Sequence, residues 1–459
     1  MRKRFGRAGR KRRRKHFGDP AQGVNLSGES QYVELRRWLK LRGFSSTCLI
    51  PAHFSDTGRG LMTSETIEAG DLIISLPEKC LLSTSTVLRS HMGELIKRWK
   101  PPVSPLLALC TFLISERHSG TRSLWKPYID VLPKTYTCPV YFSEDTVNLL
   151  PAALRKKALK QRETVQELYE SAVSFFKSLQ PLFSQSVENI FTQDALCWAW
   201  CSVNTRTVYM KHPQSDFLSM EPDVYALAPY LDLLNHCPDV QVEAAFSEQS
   251  RCYEIRSGSG CRRREQAFIC YGPHDNQRLL LEYGFVARGN PHSAVYVERE
   301  DLQLCLTRRD QQITQKLMFL KDHDFSENLT FGLDGPSWRL LMALRLLSLQ
   351  PDEFSSWKRV LLGAPVSHSC EQHSFHLAAV LCQHLIDENT KALEKIHVMK
   401  GRASASLRHQ LDLVESLRNE EQRIMHCSLD MLKRDETMTF VEDSLCSVSG
   451  GSQISSRPC

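Results

Sequence analysis

The sequence Asp232-Leu233-Leu234-Asn235-His236-Cys237 places two polar side chains directly after a mostly apolar run that begins at Ala226. This pair is poorly suited to simple packing, because a buried amide and a buried imidazole both need hydrogen-bond partners. One interpretation is a functional site that contains Asn235 and His236. The alternative is a capped helix end, which Pro238 would then follow.

A second unusual segment reads Phe268-Ile269-Cys270-Tyr271-Gly272-Pro273, with a tyrosine between an apolar strand and a Gly-Pro turn. The ring of Tyr271 can pack while its hydroxyl reaches into a cleft, or the ring can simply close a core. Twelve residues later, Tyr283 and Phe285 flank Gly284 and can wall a narrow channel.

The third segment, Thr57-Gly58-Arg59-Gly60-Leu61, is predicted to form a turn. Its two glycines would let the backbone approach a ligand closely, although a plain turn explains them equally well. No one of the three segments identifies a function by itself.

The chain alternates between strand-rich and helical stretches. Apolar periodicity predicts short strands between residues 56 and 84, a long helical insert at about 143–210, and strands again after Pro229. From about residue 310 the pattern is helical. We therefore predict a mixed α+β domain over residues 31–300, an all-α domain over 310–435, and a polar, flexible tail over 441–459.

The basic charge of the chain is concentrated at its N-terminus. Ten of the 58 Lys and Arg residues lie in the first 16 positions, without any acidic residue. The rest of the chain therefore has 48 basic and 52 acidic residues, a net charge of −4. Residues 1–30 are predicted to be a disordered basic tail that acts as a nuclear import signal or as an arm for nucleic acid or nucleosomes; a simple solvated tail is the alternative. We expect the protein in the nucleus and the cytoplasm.

Several classes of protein are excluded or disfavoured. The longest nearly apolar run, residues 106–114, is too short to span a membrane, so we expect no membrane association. The sequence lacks a P-loop, a Gly-x-Ser-x-Gly elbow and a His-Glu-x-x-His motif. The 16 cysteines include no Cys-x-x-Cys pair and are expected to be reduced. The cluster His368, Cys370, His373 and His376 is interpreted as a surface loop, with a metal site as the alternative.

Taken together and in this order, the three segments resemble the SET-domain methyltransferases, specifically the Rubisco large-subunit methyltransferase-like class. The resemblance covers about residues 50–290 for the SET part and 310–435 for the C-terminal part. It rests on these phrases: Gly58-Arg59-Gly60-Leu61, Trp125-Lys126-Pro127-Tyr128, Leu132-Pro133, Asp232 to His236, Ile269-Cys270-Tyr271-Gly272 and Tyr283-Gly284-Phe285.

The resemblance implies a SET domain of short β-sheets with a helical insert and a pseudoknot, followed by an all-α substrate-binding domain. It implies S-adenosylmethionine as cofactor, no metal, and Tyr271 as the catalytic residue. The residues implied to bind the cofactor are Thr57, Gly58, Arg59, Arg206, Asp232, Asn235, His236, Tyr271, Tyr283 and Phe285. Two departures from the family pattern are Cys237, where Ser or Thr is usual, and Arg264-Glu265-Gln266, where Gly-Glu-Glu is usual.

The reaction that the resemblance implies is methylation of lysine in histone or non-histone proteins. A histidine acceptor is the alternative, since one member of the class prefers it. An imidazole acceptor needs a polar partner to fix its tautomer, and Val208, two residues after Arg206, offers none. A further alternative is an inert protein-interaction module, which the intact Asn235, His236 and Tyr271 argue against.

Overall fold

The computed structural model describes residues 23–45, 47–305 and 310–448. These form two compact units. The first contains residues up to 138 together with 160–273, and the second contains 139–159 together with the chain from 274 onward. The predicted domain bounds remain predictions. In the structure, residues 274–300, which we assigned to the first domain, group with the second unit. Residues 1–22 and 449–459, which hold most of both predicted tails, lie outside the described residues.

Among the described residues of the first unit, ten short strands form the sheets. They are β1 (Val24–Asn25), β2 (Leu49–Phe54), β3 (Gly58–Thr63), β4 (Leu72–Pro77), β5 (Thr207–Tyr209), β6 (Tyr225–Leu227), β7 (Asn235–His236), β8 (Val242–Ser247), β9 (Cys252–Ser257) and β10 (Gln266–Ile269). One sheet has the order β1-β2-β3-β10-β7, a second has the order β4-β9-β8, and β5 pairs with β6. These sheets confirm the predicted mixed fold class.

The helices of the first unit pack on these sheets. They are Ser30–Leu41, Thr84–Leu88, Gly93–Arg98, Pro105–Ser119, Lys126–Ile129, Val187–Ile190 and Gln193–Arg206. The helix Pro105–Ser119 begins where the Ser104 side chain accepts a hydrogen bond from the Leu107 N–H at 3.2 Å, with proline at its first position. It is buried along most of its length and packs against Gln193–Arg206, which ends at a candidate site residue.

An aromatic cluster packs the helix Ser30–Leu41 and the segment Trp125-Lys126-Pro127-Tyr128 into one core. The ring centroids of Trp38 and Trp125 are 5.1 Å apart, and the Trp38 indole N–H donates to the Leu124 carbonyl at 2.7 Å. Phe112 meets the Trp125 ring edge-on at 6.4 Å. Because buried aromatic rings contribute large apolar area, this cluster fixes the segment that carries Tyr128.

The second unit is helical, as predicted for the C-terminal region. Its helices are Glu144–Val147, Asn276–Arg278, Arg299–Leu302, Ile313–Asp322, Trp338–Ser348, Trp357–Leu361, His368–Lys400 and Ala405–Val448, and the helix Ala152–Ser178 begins in it and continues into the first unit. The last helix includes the first residues of the predicted tail 441–459.

The second unit also contains a small sheet that apolar periodicity did not reveal. It has the order β11 (Val295–Val297), β12 (Leu329–Gly332) and β13 (Gly335–Pro336). These strands have two to four residues, which is too short for an alternating pattern to stand out. The unit is therefore helical with one minor sheet rather than purely all-α.

Two local predictions were wrong. The turn between β2 and β3 lies at residues 55–57, so Gly58 to Leu61 belong to a strand instead of a turn. The His368 cluster lies at the start of the helix His368–Lys400 and is not a surface loop. Ser367 caps that helix, because its hydroxyl accepts a hydrogen bond from the Cys370 N–H at 3.0 Å. A serine at this position is a typical helix N-cap and indicates the helix start in the sequence.

Two further features concern redox state and membranes. No disulfide joins the thirteen cysteines whose side chains the structure describes, which agrees with the predicted reduced state. Within residues 23–45, 47–305 and 310–448, no helix is long and apolar enough to cross a bilayer.

Candidate active site

Strand β10 aligns the predicted site segments side by side. It pairs antiparallel with β3, with Ala267 opposite Leu61. On its other edge it pairs in parallel with β7, with Phe268 opposite Asn235 and Ile269 opposite His236. The Asn-His pair is therefore strand backbone and not a helix cap. The three segments that seemed separate in the sequence are neighbours in one sheet.

A chain of side-chain amides connects β7, β10 and the start of β3. The Asn235 Nδ2 donates to the Arg59 carbonyl at 3.0 Å and to the Gln266 Oε1 at 2.7 Å. The Gln266 amide also faces the Thr57 hydroxyl, with Oε1 at 2.9 Å and Nε2 at 2.8 Å from Oγ1. These contacts lock the position of Asn235 in the sheet.

Glycine is required at two positions beside this chain of amides. A Cβ added to Gly60 would lie 2.6 Å from the Gln266 Oε1 and 2.8 Å from the Asn235 Nδ2, so any larger residue would displace both amides. Gly58 has a φ of +70°, a conformation that L side chains rarely adopt. The side chain of Arg59 turns away and donates to the Val131 carbonyl at 2.7 Å. The Arg59 backbone therefore lies beside Asn235, and the role of Gly58 and Arg59 at the cofactor remains a prediction.

Tyr271 lies two residues beyond the end of β10 and is held by Leu234 and by His236 of β7. Its hydroxyl donates to the Leu234 carbonyl at 2.7 Å, and its backbone N–H donates to the His236 Nδ1 at 3.0 Å. The two rings lie 5.2 Å apart between centroids. Because Nδ1 accepts a hydrogen bond, the neutral imidazole of His236 must carry its proton on Nε2.

A buried group of charged and phenolic side chains lies beside this segment. The Arg206 Nη1 donates to the Asp232 carbonyl at 2.8 Å, and the Tyr128 hydroxyl donates to the Asp232 Oδ2 at 2.9 Å. Burial raises the pKa of the Asp232 carboxyl, whereas the Arg206 guanidinium and the Tyr128 hydroxyl oppose that rise. The Arg206 Nε and the Asp232 Oδ1 are buried and have no partner among the described residues.

Tyr283 and Phe285 belong to the second unit. Their ring centroids are 6.4 Å apart, and Tyr283 stacks on His274 at 6.1 Å. Gly284 between them has a φ of +78°, which ends the preceding helical turn. The role of Tyr283 and Phe285 beside the cofactor remains a prediction.

Sequence reasoning missed two residues of the site. Tyr128 belongs to one of the motifs that carry the family resemblance, but no role was predicted for it. Gln266 was considered only as a departure from the family pattern. The alternation of side chains along a strand could have identified Gln266. It lies one residue before the buried Ala267 and therefore points to the opposite face of β10.

The cluster around His368 offers no metal centre in the structure. In the part of the chain that the structure describes, no three His, Cys, Asp or Glu side chains are arranged to hold a metal ion. The histidines instead lie along the first turns of a long helix.

Comparisons with known proteins match both parts of the chain. Residues 58–272 match the SET domain family, and residues 307–425 match the family described as Rubisco LSMT substrate-binding. The chain is 55% identical to SET domain-containing protein 4 of Homo sapiens over 438 residues, covering 95% of this chain and 99% of that protein.

More distant relatives are named for different acceptors. The ribosomal lysine N-methyltransferase set11 of Schizosaccharomyces pombe is 26% identical over 69% of this chain and 74% of its own. The actin-histidine N-methyltransferase of Homo sapiens is 27% identical over 73% of this chain and 55% of its own. The crystal structure of the SET domain of LSMT bound to lysine and AdoHcy superposes with a TM-score of 0.60 at 20% identity, covering 89% of this chain and 92% of that one.

Proposed function

The chain belongs to the SET-domain methyltransferases of the Rubisco LSMT class, and we propose that it transfers methyl groups from S-adenosylmethionine to lysine side chains of protein substrates. The observation that carries the proposal is the placement of Tyr271. Its hydroxyl is fixed on the Leu234 carbonyl and its N–H on His236, beside Asn235 in the same sheet.

The chemistry of the site fits S-adenosylmethionine. That molecule has a carboxylate, an ammonium group and an adenine, so it needs donors, acceptors and close backbone approach. The site supplies the backbone of Gly58 and Arg59 and the amide of Asn235. The Arg206 Nε and the Asp232 Oδ1 have no partner among the described residues, so the buried polar groups of the site are not all satisfied by that part of the chain. Related solved structures hold AdoMet or AdoHcy, which supports the same cofactor here.

When bound, S-adenosylmethionine supplies an electrophilic methyl group on a positively charged sulfur. The hydroxyl proton of Tyr271 is committed to the Leu234 carbonyl, so its oxygen offers lone pairs rather than a proton. Those lone pairs stabilise positive charge and orient a lysine amine. Tyr271 thereby acts by alignment and electrostatics, and not as a strong base.

The lysine amine must be neutral to attack, although a free lysine has a pKa of about 10.4. Burial among aromatic side chains disfavours the ammonium form and lowers that pKa. We expect the proton to leave to water before methyl transfer, which requires no side-chain base.

Lysine is favoured over histidine as acceptor by the surroundings of Arg206. The next strand, β5, carries Val208 opposite Ala226 of β6. Neither side chain can hydrogen-bond an imidazole and fix its tautomer, which a histidine acceptor would need. Named relatives methylate either residue type, so amino-acid analysis of a labelled product is the decisive comparison.

Calorimetry with S-adenosylmethionine separates an enzyme from an inert interaction module. We expect saturable binding at one site per chain, because Asn235, His236 and the glycines of β3 are all in place. A folded protein that releases no heat of binding up to millimolar cofactor would contradict the proposal.

We further propose that the basic residues 2–15 direct nuclear import, which would leave the protein in both nucleus and cytoplasm and give it access to histones. Deleting them should shift the protein toward the cytoplasm in microscopy while cofactor binding is unchanged. If the distribution stays the same, the tail is instead a nucleic-acid or nucleosome arm. In that case its affinity for nucleosomes should fall steeply with salt, as counterion release requires.

A further inference from the structure

Gln266 occupies the centre of the amide chain and touches both of its other side chains. The Oε1 atom lies 2.7 Å from the Asn235 Nδ2 and 2.9 Å from the Thr57 Oγ1. The Gln266 side chain thereby joins the start of β3 to β7. Its partner Asn235 is 31 residues away in sequence, and its partner Thr57 is 209 residues away. The missing Cβ of Gly60 leaves the space that this side chain fills.

One backbone atom, the carbonyl oxygen of Arg59, sets the orientation of both amides in this chain. The Arg59 carbonyl can only accept, so the atom of Asn235 that faces it must be the nitrogen Nδ2. The same Nδ2 also faces Gln266, whose nearest atom must then be the oxygen Oε1. The Gln266 Nε2 is left to donate to the Thr57 hydroxyl.

In this arrangement the side-chain N–H groups of Asn235 already donate to acceptors within the protein. Both N–H groups of its amide are used by the protein, one on Arg59 and one on Gln266. The Oδ1 atom is therefore the group that Asn235 presents to a ligand, and it can only accept. Without Gln266, the amide could rotate or be solvated, and a ligand would meet a mixture of donor and acceptor.

We propose that Gln266 is a positioning residue for the cofactor, which holds Asn235 so that its Oδ1 accepts a hydrogen bond from an N–H group of S-adenosylmethionine. The proposal rests on the proposed function, because it assumes that Asn235 faces that cofactor. It predicts that an acceptor at position 266 is essential, whereas the N–H donor of Gln266 is not. A glutamate at this position offers two acceptor oxygens and should serve equally well.

The test is calorimetry with S-adenosylhomocysteine on the full chain and four variants. Gln266→Met keeps the length of the side chain and removes its polar end, and Gln266→Glu keeps the acceptors. Gln249, an exposed glutamine in the turn between β8 and β9, provides the matched control Gln249→Met. Asn235→Ala serves as the reference for complete loss of the contact.

We expect Gln266→Met and Asn235→Ala to weaken binding by about 5- to 100-fold, the range for an unsatisfied buried polar group. Gln266→Glu should stay within about threefold of the native chain, and Gln249→Met should be unchanged. If Gln266 had only a structural role, Gln266→Glu would not preserve cofactor affinity better than Gln266→Met. The difference in affinity between these two variants therefore isolates the positioning role.

Native affinity in Gln266→Met, or equal loss in Gln266→Met and Gln266→Glu, would overturn the proposal. If Gln266→Met does not fold, Thr57→Val replaces it. That change removes the second anchor of the Gln266 side chain and keeps the backbone at Thr57, which is the part of this residue implied to bind the cofactor. Weaker binding by Thr57→Val supports the proposal and unchanged binding overturns it. Absence of binding by the native chain, in contrast, would refute the proposed function itself.

Discussion

Replacing Tyr271 by phenylalanine should lower turnover by about 10²–10³-fold, the usual cost of losing one preorganised polar contact in a transition state. The substitution removes a single oxygen, which donates to the Leu234 carbonyl at 2.7 Å. The backbone N–H that binds His236 and the ring that packs beside it are both retained. An interaction made mainly in the transition state lowers the rate far more than it lowers affinity.

Cofactor affinity and thermal stability should therefore change little in Tyr271→Phe. Tyr209→Phe is a suitable control, because Tyr209 is 71% exposed on β5 and also loses one hydroxyl. Rates from labelled methyl transfer, together with calorimetry, measure both quantities. Near-normal turnover in Tyr271→Phe would make Tyr271 a packing residue, and the catalytic hydroxyl would have to be sought elsewhere, with Tyr283 as the next candidate.

The second large effect concerns the stability of the second unit through Glu421. This carboxyl is almost fully buried, accepts a hydrogen bond from the Gln277 Nε2 at 2.8 Å and lies 3.9 Å from the Arg418 guanidinium. Burial raises the pKa of Glu421 from 4.5 to about 7, although Arg418 and Gln277 partly oppose the rise.

The sign of the effect follows from proton uptake. Between pH 4.5 and 7 the folded state holds a proton that the unfolded chain has released, so the free energy of unfolding falls as pH rises through this window. At 1.36 kcal/mol for each pKa unit, the loss amounts to about 3 kcal/mol and is complete above pH 7. Below pH 4.5 the group has no effect, because both states are protonated.

Glu421→Gln should accordingly flatten this dependence, since the amide keeps an acceptor for Gln277 and never ionises. We expect the variant to be more stable than the native chain by up to about 3 kcal/mol at pH 8, with little difference at pH 4.5. Urea unfolding at both pH values measures this, with the exposed Glu394→Gln as control. Parallel pH profiles for the native chain and Glu421→Gln would show that Glu421 does not control the stability.

The sequence was informative where side-chain type alone limits the environment. Asn235 and His236 after an apolar run are poorly suited to simple packing, and the structure places both in a sheet next to Tyr271. The long helices were also predictable, because their apolar periodicity extends over many turns. The absence of disulfides among the cysteines whose side chains are described agrees with their lack of paired spacing in the sequence.

Other features depended on contacts between distant segments. The start of β3 at Gly58 is fixed by its hairpin pairing with β2 and by the amides of Asn235 and Gln266, and these two amides are far from Gly58 in sequence. Gln266 looked like a departure from a pattern, because its role appears only when Thr57 is beside it. The short strands β11 to β13 contain too few residues for periodicity to detect.

The central claim is that this chain methylates protein lysines from S-adenosylmethionine. The most direct measurement incubates the purified chain with S-adenosylmethionine carrying an isotope-labelled methyl group and with nuclear and cytosolic extracts, followed by mass spectrometry of the labelled peptides. We predict label on lysine side chains with the native chain, and a loss of about 10²–10³-fold in labelling rate with Tyr271→Phe. Label on histidine, or no label from a chain that binds the cofactor, would contradict this account.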